Sequence, residues 1–115
     1  MMHEPMRIFV ATRPVDLRAG FDRLAAYTRG LLREDPRSGS LFVFLNRRGN
    51  RLKALWWDGN GYAVLYKRLS RGSFARIRSE SGRWELSAEQ FSSLVAALPL
   101  PGPSDTSDSG PRILH

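Results

Sequence analysis

The stretch Leu41–Arg71, LFVFLNRRGNRLKALWWDGNGYAVLYKRLSR, leaves few folds open. It holds three apolar-rich runs, Leu41–Leu45, Leu52–Trp57 and Tyr62–Tyr66, separated by short polar breaks. Aromatic and β-branched residues dominate two of the runs and suit a pleated, half-buried surface. The breaks, Arg47-Arg48-Gly49-Asn50 and Asp58-Gly59-Asn60-Gly61, supply Gly and Asn, which accept positive φ and can close tight hairpins. The stretch therefore reads as an antiparallel meander. Phe42 and Phe44 alternate with Leu41, Val43 and Leu45, so both faces of its first strand are apolar, which predicts a central strand covered on both sides.

The flanks supply what such a sheet needs to cover it. Arg7–Thr12 reads as a short strand that Arg13-Pro14 ends. In Val15–Leu32, Leu17, Phe21, Leu24, Thr28, Leu31 and Leu32 recur near a 3.6 period, which predicts a helix with Asp16 near its N-terminus. Its place is expected to be on one sheet face; the mixed charge of Arg18, Asp22, Arg23 and Arg29 argues against a DNA-recognition helix. Phe74–Arg78 carries a weak strand signal with Arg76 and Arg78 on one face beside Phe74, and Trp84–Leu86 another. Ser87 with Gln90 three residues on has the form of a capping box, ahead of a helix that Phe91, Leu94, Val95 and Leu98 make amphipathic and Pro99 stops. The expected fold class is α+β: a single antiparallel β-meander sheet of about four to six strands packed by two helices, in one domain over residues 1–99. Residues 100–115, LPGPSDTSDSGPRILH, are rich in Pro, Ser, Gly and Asp and predict a disordered tail.

The charge is unevenly spread. The 115 residues carry a net +7, and 16 of the 18 basic residues are Arg. Arg-rich composition alone could raise the total, so distribution is the better guide. Arg47–Arg83 holds ten Lys or Arg against Asp58 and Glu80, an excess larger than that of the whole chain. Such clustering favours a polyanionic partner, nucleic acid first, over a solvated or protein-binding face. The residues expected to touch it are Arg47, Arg48, Arg51, Lys53, Lys67, Arg68, Arg71, Arg76 and Arg78. Strand directions in a meander bring the Arg47–Arg51 turn and the Lys67–Arg71 strand end to the same end of the sheet, with Asp58 at the other. Trp56 and Trp57 are adjacent, so in a strand they point to opposite faces. Both could pack under helices; otherwise one is a candidate for stacking on an unpaired base or for docking on a protein.

Other classes find little support. With no Cys, disulfides, thiolate ligands and Cys nucleophiles are excluded, and a reducing compartment fits. His3 and His115 stand at the two ends, so a His-based catalytic or metal centre is not expected. No P-loop, dinucleotide fingerprint or Gly-x-Ser-x-Gly appears. Asp58-Gly59-Asn60-Gly61 resembles the start of a calcium loop but lacks its later ligands. The opening MMHEPMRIFV has no apolar run long enough for a signal peptide, and no run could span a bilayer. The expectation is a cytoplasmic, non-catalytic protein without cofactor, metal, membrane partner or small-molecule substrate.

Several motifs in register carry a resemblance. They are Pro14-Val15-Asp16-Leu17-Arg18-Ala19-Gly20-Phe21-Asp22, Asp35-Pro36 with Ser38-Gly39, Leu41-Phe42-Val43-Phe44, Asn46-Arg47-Arg48-Gly49-Asn50-Arg51, Trp56-Trp57-Asp58-Gly59-Asn60-Gly61 and Lys67-Arg68-Leu69. Over roughly residues 6–98 the chain resembles the TnpB-type accessory protein of the insertion-sequence-66 family of bacterial transposons. The resemblance implies an accessory role in DNA transposition, beside a larger protein that resembles acidic-triad transposases and is thought to cut and join DNA. It leaves two partners open: DNA, or the transposase of the same element, on which the chain would dock as an adaptor without touching DNA.

Overall fold

The apolar runs become strands, and the sheet they build is mixed. The computed structural model describes residues 6–102 and the backbone of 112–114. In chain order the elements are β1 (Ile8–Ala11), α1 (Phe21–Tyr27), β2 (Leu41–Leu45), β3 (Arg51–Trp57), β4 (Tyr62–Arg68), β5 (Arg76–Arg78), β6 (Arg83–Leu86), α2 (Ala88–Val95) and β7 (Arg112–Leu114). Five strands form one sheet in the order β4-β3-β2-β1-β6, and β5 pairs with β7 outside it. The β2-β3-β4 meander is present, with Val43 opposite Ala54 and Lys53 opposite Tyr66. The expectation of a purely antiparallel sheet needs correcting. β1 lies parallel to β2, Ile8 beside Leu41 and Val10 beside Val43, and antiparallel to β6. The connection explains this. Residues 12–40 carry a helix across one sheet face and bring the chain back to the end where β1 began, which is what a parallel neighbour requires.

The helices differ in how well they follow the sequence pattern. α1 is shorter than the apolar period predicts. Asp16 does not cap it; its Oδ1 accepts the Arg18 backbone N–H at 3.0 Å, a local turn that competes with helical bonding and keeps Val15–Gly20 out of the helix. After Tyr27 the chain widens into a π-helical turn, Thr28–Leu32, in which the buried Thr28 hydroxyl donates to the Leu24 carbonyl at 2.9 Å. α2 starts as expected. Ser87 Oγ accepts the Gln90 N–H at 3.0 Å while Gln90 Oε1 accepts the Ser87 N–H at 2.9 Å, a reciprocal cap worth about 1 kcal/mol.

Alternation along the strands sorts the apolar side chains into two cores. Phe9, Ala11, Phe42, Phe44 and Leu55 face α1, where Leu17, Leu24, Ala25 and Leu32 complete the layer. Ile8, Val10, Leu41, Val43, Leu52, Ala54 and Leu86 face the other way, against Leu94 of α2, Phe74, Ala75, Ile77 and Leu100. Burying side chains of this size contributes about 1.5–3 kcal/mol each. The strand expected around Phe74–Arg78 is reduced to Arg76–Arg78. Phe74 and Ala75 turn into the core with Ile77, and Arg76 and Arg78 stay exposed. The unstructured tail expected over 100–115 falls mostly on residues 103–111 and 115, which lie outside those described. Within it, Leu100 is buried and Arg112–Leu114 pairs with β5, Ile113 opposite Ile77. No helix among the described residues is long and apolar enough to cross a membrane.

Candidate nucleic-acid interface

The site is built on the Asn46–Asn50 turn between β2 and β3. Asn46 organises it. Its Oδ1 accepts the N–H groups of Asn50 and Arg51 at 3.1 and 3.0 Å, and its Nδ2 donates to Asn50 Oδ1 at 2.8 Å. Gly49 takes φ 75, a conformation that side chains resist, and its N–H closes the turn on the Asn46 carbonyl at 3.0 Å. Two later segments brace the turn from outside. Leu69 N–H donates to the Asn50 carbonyl at 2.8 Å and Phe74 N–H to the Gly49 carbonyl at 2.7 Å. Arg47 and Arg48 therefore stand exposed on a turn whose backbone is held on every side.

Strand register gathers further cations there. Arg51 of β3 lies opposite Arg68 of β4, so the arginine turn and the Lys67–Arg71 segment share one end of the sheet. The Asp58–Gly61 turn lies at the other end, beyond the Trp57–Tyr62 pair. Because β1 and β2 are parallel, both run out at the arginine end. The loop after β1 is pinned beside the turn by Val15 N–H donating to the Leu45 carbonyl at 3.0 Å. Two clefts result, one on each side of Arg47. The larger, about 580 Å³, is lined by Pro14–Arg18 and by Asn46, Arg47, Arg48 and Arg51. The smaller, about 280 Å³, lies between Ala11–Pro14, the turn and Phe74–Arg78, with Arg47, Arg76 and Arg78 on its walls. Crevices beyond the carboxyl ends of parallel strands are a common place for ligands in α/β sheets.

The cations expected from the sequence divide into two groups. Some are committed to the fold. Lys53 Nζ donates to the Ala19 carbonyl at 2.9 Å, and Lys67 Nζ to the Val95 carbonyl at 2.7 Å, at the C-terminal end of α2 where positive charge is favourable. Arg51 stands between the two groups: it donates to the Tyr66 hydroxyl and still lines the larger cleft. The others, Arg47, Arg48, Arg68, Arg71, Arg76 and Arg78, are exposed, and among the described residues none of them pairs with a carboxylate. The acid on the cleft wall is already engaged. Asp16, on the wall of the larger cleft, is bound by the Arg18 guanidinium at 2.7 Å. Hydrogen bonds from the Arg18 side chain and backbone, with the nearby charge of Arg23, lower the Asp16 carboxyl from 3.8 to about 2. It is thus ionised and neutralised by Arg18, and leaves the turn arginines uncompensated.

The tryptophans point to opposite faces, as their adjacency requires. Trp56 packs against the α2-side core. Trp57 is half-buried, with the Arg37 guanidinium 4.5 Å from its ring and Tyr62 edge-on at 5.1 Å. Three parts of the site escape a reading from sequence. Asn46 appears as a strand-end polar residue, the Pro14–Arg18 wall as a helix start, and Tyr66 as half of a strand alternation. The alternation was the one usable signal for Tyr66, since it places that ring on the same face as Arg68 and, across the pair, Arg51.

Guanidinium groups carried on a braced backbone around a concave surface suit phosphate oxygens, which a planar fork can grip two at a time. Among the described residues no cluster of three or more His, Cys, Asp or Glu is placed to hold a metal ion. The family model described as IS66 Orf2 like protein matches residues 6–104. The chain belongs to that family. Two relatives from Sinorhizobium fredii (strain NBRC 101917 / NGR234), named "Uncharacterized protein y4jC" and "Uncharacterized protein y4hO", are 42% and 38% identical. The first alignment covers 81% of this chain and 80% of the relative, the second 88% of each. No solved structure matches the chain. As an IS66 Orf2-like protein it is assigned to insertion-sequence transposition, in an accessory rather than a known catalytic capacity.

Proposed function

We propose that the chain is a non-catalytic accessory protein of transposition that holds DNA by its phosphates at the arginine end of the sheet. One observation carries this reading: Arg47, Arg48, Arg68 and Arg71 converge on a braced turn and its neighbouring strand end, with no carboxylate partner among the described residues. Like charges brought together repel, so such a cluster is better accounted for by an anionic partner than by folding, although salt screens it in part. Arg51, Arg76 and Arg78 extend the surface, whereas Lys53 and Lys67 position it. Phosphate contacts of this kind fix a protein on DNA without reading sequence. The test is binding of the purified chain to DNA as salt is raised. Several phosphate contacts predict a steep linear fall of log affinity with log salt. No binding at low salt would exclude the reading.

A second reading has its own observation. β4 is an edge strand, and it exposes Leu65 and Tyr66. Such an edge suits docking on the element's transposase by an added strand. Association with that protein that survives high salt, in the absence of DNA, would favour it.

A further inference from the structure

Tyr66 is 48% exposed, with its hydroxyl and one face of its ring each engaged by a cation. Arg51 donates to its hydroxyl, and Lys53 Nζ sits 5.0 Å from its ring centroid while itself bonded to the Ala19 carbonyl. Lys53 lies directly across from Tyr66, and Arg51 directly across from Arg68, so all four side chains share one sheet face. Arg51 also lines the larger cleft together with Arg47 and Arg48. A cationic strip thus runs from the cleft to an exposed aromatic ring whose position is fixed before any ligand arrives. Two positions along a strand span about 6.6 Å, which suits a base on Tyr66 with its phosphate at Arg68.

We infer that this strip binds unpaired nucleotides of single-stranded DNA, with one base stacked on Tyr66 and the adjoining phosphates on Arg68, Arg51 and the arginine turn. The inference rests on the phosphate reading above and adds the form of the DNA. In a duplex the base faces are hidden within the stack, so a ring on a sheet face has nothing to lie against. The tryptophans suit this role less: both are partly buried, Trp57 between Arg37 and Tyr62 and Trp56 against the core, whereas Tyr66 is exposed. The ligand fits both deoxy and ribo forms by stacking and charge; membership in a transposition family selects DNA.

The test is titration of the full chain with an end-labelled mixed-sequence oligodeoxynucleotide, the same sequence as a blunt duplex, and the matching oligoribonucleotide. Single-stranded DNA is expected to bind more tightly than the duplex and no less tightly than RNA. Tyr66→Ala should weaken single-strand binding about 5- to 100-fold, the loss of one stacked base, and leave duplex binding unchanged. Tyr66→Phe keeps the ring and should retain most of the affinity. Photocrosslinking of an iodouracil-substituted strand to the unaltered protein, mapped by mass spectrometry, should label Tyr66; labelling confined to other segments would overturn the inference. Equal binding of duplex and single strand, with Tyr66→Ala lowering both alike, would overturn it while leaving the phosphate reading in place. A marked preference for RNA would overturn the assignment to DNA. No binding to any of the three at low salt would overturn both.

Discussion

The hairpin turns at the two ends of β3 use the same residue types to different effect. Both contain Gly at positive φ, Gly49 at 75 and Gly59 at 113. The Asp58–Gly61 turn satisfies itself. Asp58 Oδ1 accepts the N–H groups of Asn60 and Gly61, and Asp58, Gly59 and Asn60 are exposed. The Asn46–Asn50 turn is buttressed. Its Gly49 is buried, and its carbonyls receive N–H groups from Leu69 and Phe74. A hairpin needs only the first kind of turn. The second costs more in ordered chain, and what it adds is a braced backbone from which two arginines project. Fixing a binding group in advance lowers the entropy lost when a ligand arrives. The difference separates a turn that closes a strand pair from one that presents a surface.

Five tests probe that contrast, the first two as a matched pair and the rest in falling order of expected effect. Asn46→Ala removes three side-chain hydrogen bonds from a partly buried turn and should cost about 2 kcal/mol, a fall in melting midpoint of roughly 10 °C. Asp58→Ala at the other end should cost less than about 1 kcal/mol. Equal costs in urea denaturation would remove the distinction between the turns. Next, Arg48→Ala combined with Arg68→Ala should weaken DNA binding about tenfold at low salt and reduce the salt slope by about 2, with stability within about 0.5 kcal/mol of the parent. An unchanged slope would show that neither side chain meets phosphate.

Lys67→Met probes a cation of the other group. It loses the bond to the Val95 carbonyl at the end of α2 and should lower stability by about 1 kcal/mol, measured by thermal melting, while DNA affinity stays within about twofold. A large loss of affinity with no loss of stability would move Lys67 into the binding set. The smallest effect is that of pH. The folded Asp16 carboxyl is depressed from 3.8 to about 2, so its favourable share is in place above about pH 4 and is lost as pH falls through 2. No histidine lines either cleft. DNA affinity at constant ionic strength is therefore expected to be flat between about pH 5 and 8. A steep rise on acidification would reveal a titrating group elsewhere in the interface.

The meander was legible because its period and turn residues agree with each other from Leu41 to Tyr66. The α2 start was legible because a capping box is local. The parallel partnership of β1 was not, since nothing in RIFVAT distinguishes a parallel from an antiparallel neighbour. The helix start was misplaced because Val15 and Leu17 fit an apolar period that the Asp16 side chain then breaks. In the site, the convergence of Arg47–Arg51 with Lys67–Arg71 followed from strand direction alone. Which of those cations are free did not. The partners that engage Lys53 and Lys67, Ala19 and Val95, are backbone carbonyls brought near only by tertiary packing. Backbone acceptors carry no mark in a sequence.

The place of β1 in the sheet also governs how the chain can be made. Of the five strands of the sheet it is the first to be synthesised, and it lies between β2 and β6, the latter the last of the five. The β2-β3-β4 hairpins can pair as they emerge, because their contacts are close in sequence. β1 gains its second neighbour only when Arg83–Leu86 is available, and Phe9 and Val10, fully buried in the finished fold, stay uncovered on that side until then. Completion of the sheet is thus expected only once Arg83–Leu86 has emerged, with an exposed strand edge in the interval. A gene interrupted before the codons for Arg83–Leu86 should yield an open, aggregation-prone sheet rather than a shortened working protein.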